Sequence, residues 1–485
     1  MSREKPEICI IGAGMSGLLM GIRLKAAGIH SFRIYEKASS VAGTWRENRY
    51  PGLSCDVPSF YYSYSFEPNP DWSHRFASGP EIRAYFERVA EKYELLPHIQ
   101  FGTLITGARR EDGRWTVQSE AGDAGETIRA DILITACGPL HKKVYPDIDG
   151  LESFQGAQFH SADWDDDVEL EGRRIGVIGT GSSAVQMMAP LSKVASHLTM
   201  FQRTAQWIMP YSNKPYSERW KKWARRLPLI AKLNRFRFRF LFDQFGRAVV
   251  ESGRTRQQIG DRCRKYLASV EDPELRAKLT PDYEPMCKRL VISRDFYPTL
   301  RKEHVELVTE GIDRVETKGI VTLDGKLHEL DVMVLATGFD AHAWGVEQII
   351  GEHGLSLPEA WAKGDRAHRS VAFPGFPNFF MLVGPNSPVG NLSLIDVAET
   401  QTKYIMQFVA MFQQGKFSEV VPTPEATRKF HESLLAAMKD TVWVTGCGSW
   451  YLDADGVPIT WPWTAARFRK DLRRPDLSEY ELRAV

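Results

Sequence analysis

Two stretches of the chain, ICIIGAGMSG at residues 8–17 and IGVIGTGSSA at residues 175–184, decide its fold. In each, a short apolar run rich in β-branched residues ends in glycines, and apolar residues at helical spacing follow. This order predicts a strand, a tight turn and a helix, which together form the phosphate-binding unit of dinucleotide-binding folds. A single glycine-rich turn is a weak signal, so the repetition carries more weight than either copy.

Each unit is completed more than a hundred residues later by an apolar strand that ends in a glycine. ADILITACG ends at Gly138, and LDVMVLATG ends at Gly338. The pattern predicts an α/β fold with two Rossmann-like dinucleotide-binding domains, one inserted in the other, and a helical insert. We expect the first domain at residues 1–152 and, with the C-terminal region, 375–485. The second is expected at 153–215 and 330–374, and the helical insert at 216–329.

The glycines of the two turns have separate tasks. The first permits the bend, the second lets the backbone approach a pyrophosphate, and the third lets the helix pack on the strand. The first turn supplies Gly12, Gly14 and Gly17; the second supplies Gly179 and Gly181, with Ser182 beside them.

The residue at the end of the next strand predicts which dinucleotide each domain binds. Glu36 stands twenty-four positions after Gly12, and Arg203, followed by Thr204, stands twenty-four positions after Gly179. A carboxylate accepts hydrogen bonds from ribose hydroxyls but repels a 2′-phosphate, which a guanidinium binds. We therefore expect FAD in the first domain and NADPH in the second. An exposed cation at a strand end is the alternative interpretation of Arg203.

The overall composition restricts the function further. The chain has 485 residues, and its 62 Lys and Arg balance 61 Asp and Glu to a formal net charge of +1, which gives no global attraction to nucleic acid or anionic lipid.

Its six cysteines form no CxxC pair and have no nearby His at zinc spacing, so we expect no metal and a reducing, cytoplasmic location. No apolar run approaches about 18 residues, and no transmembrane helix is expected.

Residues 219–247 form a basic segment within the expected insert. They contain ten Lys or Arg and one acidic residue, interleaved with aromatic and aliphatic side chains. We favour a solvated face of a helical subdomain. A membrane-surface helix or a partner-binding helix is the alternative that the pattern leaves open.

Two further segments carry longer patterns than the glycine turns. Residues 42–56 read AGTWRENRYPGLSCD, and residues 154–165 read FQGAQFHSADWD. In these segments the chain resembles the class B flavin-dependent monooxygenases, and more closely the type I Baeyer-Villiger monooxygenases. The second segment matches that family's FxGxxxHxxxW[P/D] signature from Phe154 to Asp165, and the first matches its [A/G]GxWx4[F/Y]P[G/M]x3D pattern up to Asp56.

The resemblance implies an enzyme that uses FAD, NADPH and O2 to convert ketones to esters or lactones through a C4a-peroxyflavin. It implies that Arg289, in MCKRLV at 286–291, is the catalytic cation, oriented by Asp56. It further implies that Lys288 contacts the 2′-phosphate and that His160 has a structural or conformational role. The remaining residues that it places near the cofactors are Thr44, Trp45 and Trp450. The aromatic cluster of Tyr61, Tyr62 and Tyr64 either forms a wall of the substrate pocket or belongs to the core, as aromatic stripes more often do.

Two alternatives remain at this point. One is a flavin monooxygenase that oxygenates nitrogen or sulfur, and the other is a non-catalytic redox-sensing protein that holds FAD and NADPH. Trp164 and Asp165 favour the Baeyer-Villiger reaction over the first, and an intact Asp56 and Arg289 argue against the second. The expected partners are a small ketone and O2, with no nucleic acid.

Overall fold

In the computed structural model, which describes residues 6–120, 125–345, 348–362, 364, 366–448, 452–453 and 456–484, both predicted strand–turn–helix units are present. The strands of these residues are β1 (Ile8–Ile11), β2 (Phe32–Tyr35), β3 (Ile99–Gln100), β4 (Leu104–Glu111), β5 (Arg114–Glu120), β6 (Glu126–Ala130), β7 (Ile132–Thr135), β8 (Ala157–His160), β9 (Arg174–Ile178), β10 (His197–Phe201), β11 (Ile208–Met209), β12 (Val291–Ile292), β13 (Val305–Val308), β14 (Ile312–Glu316), β15 (Gly319–Thr322), β16 (Leu327–Glu329), β17 (Val332–Leu335), β18 (Ile349–Ile350), β19 (Phe379–Met381), β20 (Glu419–Pro422) and β21 (Tyr480–Arg483).

The α-helices of the same residues alternate with these strands in much of the chain. They are α1 (Met15–Ala26), α2 (Thr44–Glu47), α3 (Gly79–Lys92), α4 (Ser182–Leu191), α5 (Glu218–Arg226), α6 (Pro228–Val250), α7 (Arg254–Leu267), α8 (Pro273–Lys278), α9 (Phe296–Leu300), α10 (Leu357–Ala360), α11 (Leu394–Gln413), α12 (Pro424–Met438) and α13 (Ala465–Asp471).

Each glycine turn follows the central strand of its own parallel sheet. The first sheet has the order β19-β7-β1-β2-β3, and the second has the order β13-β10-β9-β17-β8. In such sheets, ligands bind beyond the carboxyl ends of the strands, where the strand order reverses. That point lies between β1 and β7 in the first sheet and between β9 and β17 in the second. The α/β fold with two Rossmann-like units is therefore confirmed.

The central strands are apolar because both faces of each sheet are covered. All four residues of β1, β7 and β17 are buried, and one continuous apolar core extends through both units. Two smaller apolar clusters lie beside the first and second sheets. No helix among the described residues is both long enough and apolar enough to cross a membrane.

The expected helical insert at 216–329 is wrong in its second half. Its main helices, α5 to α8, end at Lys278, and β13 is an edge strand of the second sheet. The antiparallel strands β14, β15 and β16 then lead back to β17. A four-residue strand such as VELV is too short for its periodicity to identify it.

The return to the first unit also comes earlier than the expected residue 375. Strand β18 (Ile349–Ile350) pairs with β4, and Trp344 and Ile349 pack in the same apolar cluster as Cys9 and Ile11 of β1. The chain has therefore rejoined the first unit by about residue 349.

Candidate active site

The first glycine turn is shaped by close main-chain contacts. Gly12 has φ +100°, and a Cβ on Gly17 would lie 1.9 Å from the carbonyl oxygen of Gly12. Gly14 faces Gly43, whose own φ is +47° and whose added Cβ would lie 3.2 Å from the Cα of Gly14. Two segments without side chains therefore meet at the N-terminus of α1, which is the type of cradle that a pyrophosphate needs.

The second turn repeats this arrangement at α4. Gly179 has φ +121°, and a Cβ there would lie 2.4 Å from the carbonyl oxygen of Ala336. A Cβ on Gly181, by contrast, would meet nothing within 4 Å. The turn is therefore tight against its own sheet and open in front of Ser182, the first residue of α4.

Glu36 lies beside the first turn, as its spacing predicts. Its side chain is buried, and its carboxylate accepts hydrogen bonds from the backbone N–H groups of Ala13 (2.8 Å) and Ala38 (3.0 Å). Arg46 donates a third hydrogen bond at 3.3 Å. These donors hold both carboxylate oxygens in place, and each oxygen retains lone pairs for further donors.

Arg203 and Lys288 form a cationic pair beside the second turn. Burial lowers the pKa of the Lys288 amine, and the positive charge of Arg203 lowers it further, while Asp282 acts in the opposite direction. The Lys288 Nζ lies 4.7 Å from the ring centre of Tyr283. Among the described residues, neither cation has a carboxylate oxygen within 4.0 Å, so both charges are available to an anion.

Arg289 and Asp56 form a bidentate ion pair, although they lie 233 positions apart in the sequence. The Arg289 Nε donates to Asp56 Oδ2 at 3.0 Å, and Nη2 donates to Oδ1 at 2.6 Å. Arg289 retains about a third of its side-chain exposure, whereas Asp56 is 16% exposed. The carboxylate therefore fixes the plane of the guanidinium and leaves part of it accessible.

A cavity of about 860 Å³ joins the first glycine turn, the start of α4 and the Arg289–Asp56 pair. Its lining includes the predicted residues Gly12, Gly14, Glu36, Thr44, Trp45, Asp56, Ser182 and Arg289. Arg203, Thr204 and Lys288 lie outside its described lining. Apolar residues of α6, among them Phe238, Leu241 and Phe242, form part of the wall.

The aromatic residues that follow Asp56 have different positions. Tyr62 lines the cavity and accepts a hydrogen bond from Trp45 Nε1 at 3.1 Å. Tyr61 and Tyr64 are fully buried behind it, where Tyr61 donates to Asp396 and Tyr64 donates to the Met15 carbonyl. Tyr62 therefore lines the cavity, whereas Tyr61 and Tyr64 belong to the core, the alternative interpretation of this aromatic cluster.

Residues that the sequence patterns missed connect the two units at the cavity. Tyr50 donates to Gln186 Oε1 at 2.9 Å, and Gln186 Nε2 donates to the Ser54 carbonyl at 3.0 Å. Burial raises the pKa of Tyr50 to about 12, so it remains a neutral donor at physiological pH. A glutamine among the apolar positions of α4 is the only sequence signal of this contact.

His160 is buried between backbone groups, and its structural or conformational role stays a prediction. It is buried, its Nδ1 accepts from the Ala162 N–H at 3.1 Å, and its Nε2 lies 3.1 Å from the Gly338 carbonyl oxygen. Burial lowers the pKa of the imidazole. Both ring nitrogens are therefore used by the backbone that joins the two units.

Cys287 and Cys447 form a disulfide, a difference from the reducing environment expected from the sequence. The other four cysteines are thiols. The disulfide joins the segment that carries Lys288 and Arg289 to the C-terminal part of the chain. Trp450, the expected contact near the nicotinamide, lies outside the described residues.

The comparisons with known proteins identify the class of protein as a flavin-dependent oxygenase. Residues 5–347 match the family model described as flavin-binding monooxygenase-like, and the chain belongs to this family.

Relatives extend this similarity over the whole chain. The chain is 48% identical to an uncharacterized monooxygenase of Mycobacterium bovis over 100% of this chain and 97% of that protein. It is 40% identical to a Baeyer-Villiger monooxygenase of Streptomyces coelicolor over 99% and 93%. The crystal structure of OTEMO in complex with FAD and NADP superposes with a TM-score of 0.88 at 27% identity, covering 99% of this chain and 100% of that one.

Proposed function

We propose that this chain is an NADPH- and O2-dependent FAD monooxygenase that converts ketones to esters or lactones by Baeyer-Villiger oxidation. The observation that carries the proposal is the Arg289–Asp56 pair on the wall of a cavity that also contains the first glycine turn. The reaction balances as ketone, O2, NADPH and a proton giving ester, NADP⁺ and water.

The first unit fits FAD. Gly14 and Gly43 leave a cradle without side chains at the N-terminus of α1, and Glu36 offers acceptors to ribose hydroxyls. Thr44, Trp45 and Asp56 line the continuation of the same cavity. Bound FAD, once reduced, supplies the activation of O2 that no side chain can provide.

The second unit fits NADPH. Gly179, Gly181 and Ser182 form the open turn for the pyrophosphate, while Arg203 and Lys288 supply two cations for the 2′-phosphate. Thr204 follows Arg203, and its carbonyl accepts a hydrogen bond from Thr180 at 2.7 Å, which ties the strand end to the turn. The two cofactors would approach one another where the cavity passes from Gly12 to Ser182.

Arg289 is the proposed catalytic cation. Oxygen insertion into a ketone passes through negatively charged oxygen, and a fixed positive charge beside it lowers the barrier. Asp56 holds the guanidinium by two hydrogen bonds, so little reorganisation is needed when that charge develops. The apolar wall from α6 excludes water and favours an apolar ketone.

The test is product analysis of Arg289→Ala with a panel of cyclic, linear and aryl ketones. Losing one preorganised charge partner typically costs about two to three decades in rate, so ester should fall by at least that factor while bound FAD remains. Oxygen that is still consumed should appear as hydrogen peroxide. The matched control is Arg294→Ala, an exposed arginine five residues further on whose side chain bonds only Ser212 among the described residues. Ester formation by Arg289→Ala at the wild-type yield per NADPH would contradict the assignment.

The same panel separates the remaining alternatives. A thioether or amine oxidised in preference to every ketone would favour an N- or S-oxygenating enzyme. NADPH consumption that no substrate changes, without any oxygenated product, would favour a redox-sensing protein. A cytoplasmic location stays a prediction.

A further inference from the structure

The helices α5 and α6, with Leu227 between them, expose an unusual set of large apolar side chains. Their members are each 47–67% exposed and fall within nineteen consecutive residues: Trp223, Leu227, Leu229, Leu233, Phe236, Phe240 and Leu241. Isolated apolar residues on a surface are ordinary, but a contiguous set of this size marks an interaction site.

Four members of this set form a stripe along α6, which we call the α6 stripe: Leu229, Leu233, Phe236 and Phe240. Their spacings of four, three and four residues place them on one face of the helix. The opposite face is already used, since Ala231, Arg235 and Phe238 are buried against the rest of the molecule. The stripe is therefore a second apolar face, and it is not needed for packing the helix.

Cations border this stripe without carboxylate partners. Lys232 lies along one edge and Arg237 along the other, and Arg219, Lys222 and Arg226 are exposed on α5. Within the described residues none of these five has a carboxylate oxygen within 4.0 Å, whereas Lys221, Arg225 and Arg247 are paired. Since the whole chain has a net charge of only +1, this positive surface is local.

We propose that α5 and α6 bind the surface of an anionic lipid bilayer, with the α6 stripe inserted among the acyl chains and the bordering cations at the phosphates. An apolar face flanked by Lys and Arg is the pattern of helices that lie in the membrane interface. The proposal takes up the membrane-surface alternative in preference to a solvated face, because the apolar residues between the cations are exposed.

Other occupants fit the surface less well. A second copy of the chain in a two-fold interface would place like patches together, so the uncompensated cations of one copy would face those of the other. A nucleic acid would match the cations but would leave the apolar stripe without a partner. An anionic lipid bilayer offers phosphates to the cations and acyl chains to the α6 stripe.

The binding surface also lies beside the cavity. Arg237 and Leu241 are exposed on α6 and belong to the cavity lining. The stripe and the cavity wall are thus two faces of one helix, so the bound bilayer would lie next to the cavity. The lipid contact itself does not depend on the proposed oxidation.

Co-sedimentation of the flavin-loaded protein with vesicles tests the proposal. We expect binding to phosphatidylcholine vesicles that contain phosphatidylglycerol at low salt, weaker binding to pure phosphatidylcholine, and release at about 1 M salt, where the Debye length falls to about 3 Å. Phe236→Ser/Phe240→Ser should weaken binding about tenfold or more. Lys222→Gln/Arg226→Gln/Lys232→Gln should weaken it about a hundredfold, since each surface cation contributes roughly fivefold.

A matched control and a second readout keep the test independent of folding. Leu323→Ser/Leu327→Ser removes two exposed leucines outside α5 and α6 and should leave binding unchanged. Brominated lipids should quench part of the tryptophan fluorescence, and Trp223→Phe should remove that part. The proposal is overturned if the protein stays in the supernatant with anionic vesicles at low salt. It is also overturned if light scattering shows an oligomer that the Phe236→Ser/Phe240→Ser variant dissociates.

Discussion

Lys288 and Arg289 are neighbours in the chain but serve different parts of the molecule. Met286, two residues before Lys288, has φ +74°, a left-handed conformation that is uncommon for a residue with a side chain. Beyond this turn Lys288 lies against Tyr283 near Arg203, and Arg289 reaches Asp56 in the first unit. One short segment thus contributes to both proposed cofactor sites.

The selectivity for NADPH over NADH is predicted to depend on Arg203 and Lys288. A charge-assisted hydrogen bond contributes roughly 1.5–3 kcal/mol, so Arg203→Ala should lower the kcat/KM ratio of NADPH to NADH about ten- to a hundredfold. Lys288→Ala should act in the same direction, with little change in kcat/KM for NADH. The measurement is steady-state kinetics with both nucleotides. Arg173→Ala, an exposed arginine before β9, serves as the control, and equal use of both nucleotides by the unchanged protein would refute the assignment.

At the scale of the element, the glycine turns have requirements that differ from position to position. Gly17 is needed for packing, because its added Cβ would overlap the Gly12 carbonyl at 1.9 Å. Gly14 has an ordinary distance of 3.9 Å to Gly43, so a side chain there would enter the space in front of the helix instead of the core. A side chain added at Gly17 should therefore affect folding, whereas one added at Gly14 should affect cofactor binding.

Gly14→Val is predicted to lose bound FAD but keep its fold. The side chain would block the approach of the pyrophosphate to α1, and the flavin content of the purified protein should fall at least tenfold, as measured by absorbance. Gly17→Val should instead lower the free energy of unfolding by about 3 kcal/mol. Gly181→Ala is the matched control, since its Cβ meets nothing within 4 Å and should leave both flavin content and stability unchanged. Full flavin occupancy in Gly14→Val would contradict the assignment of the first unit.

Elements were predictable from the sequence where the signal is local. The glycine turns, their flanking strands and the positions of Glu36 and Arg203 follow from spacing within about thirty residues, and the structure has these elements in place. Strand β13 was missed because four residues carry too little periodicity. The α6 stripe was missed because periodicity indicates an apolar face but not whether the fold covers it.

At the scale of the whole molecule, contacts between distant segments complete the candidate site. The Asp56–Arg289 pair was expected only through the family resemblance, and the Tyr50–Gln186 contact joins residues 136 positions apart. Neither contact can be predicted from the spacing of nearby residues, because its two residues are far apart in the sequence. Both contacts join segments that are distant in the sequence, so the geometry of the cavity depends on the tertiary fold.

The Cys287–Cys447 disulfide links two residues that lie 160 positions apart in the sequence. Protein purified in air without reductant is predicted to show four reactive thiols in denaturant, and six after reduction. Because the link restricts the unfolded chain, reduction should lower the free energy of unfolding by about 2–5 kcal/mol. Chemical denaturation with and without dithiothreitol measures this difference. Cys447→Ser should abolish the response to the reductant, whereas Cys263→Ser, which removes a buried thiol, should retain it. Six reactive thiols in the unreduced protein would show that these two cysteines remain reduced, as the cysteine pattern of the sequence alone suggests.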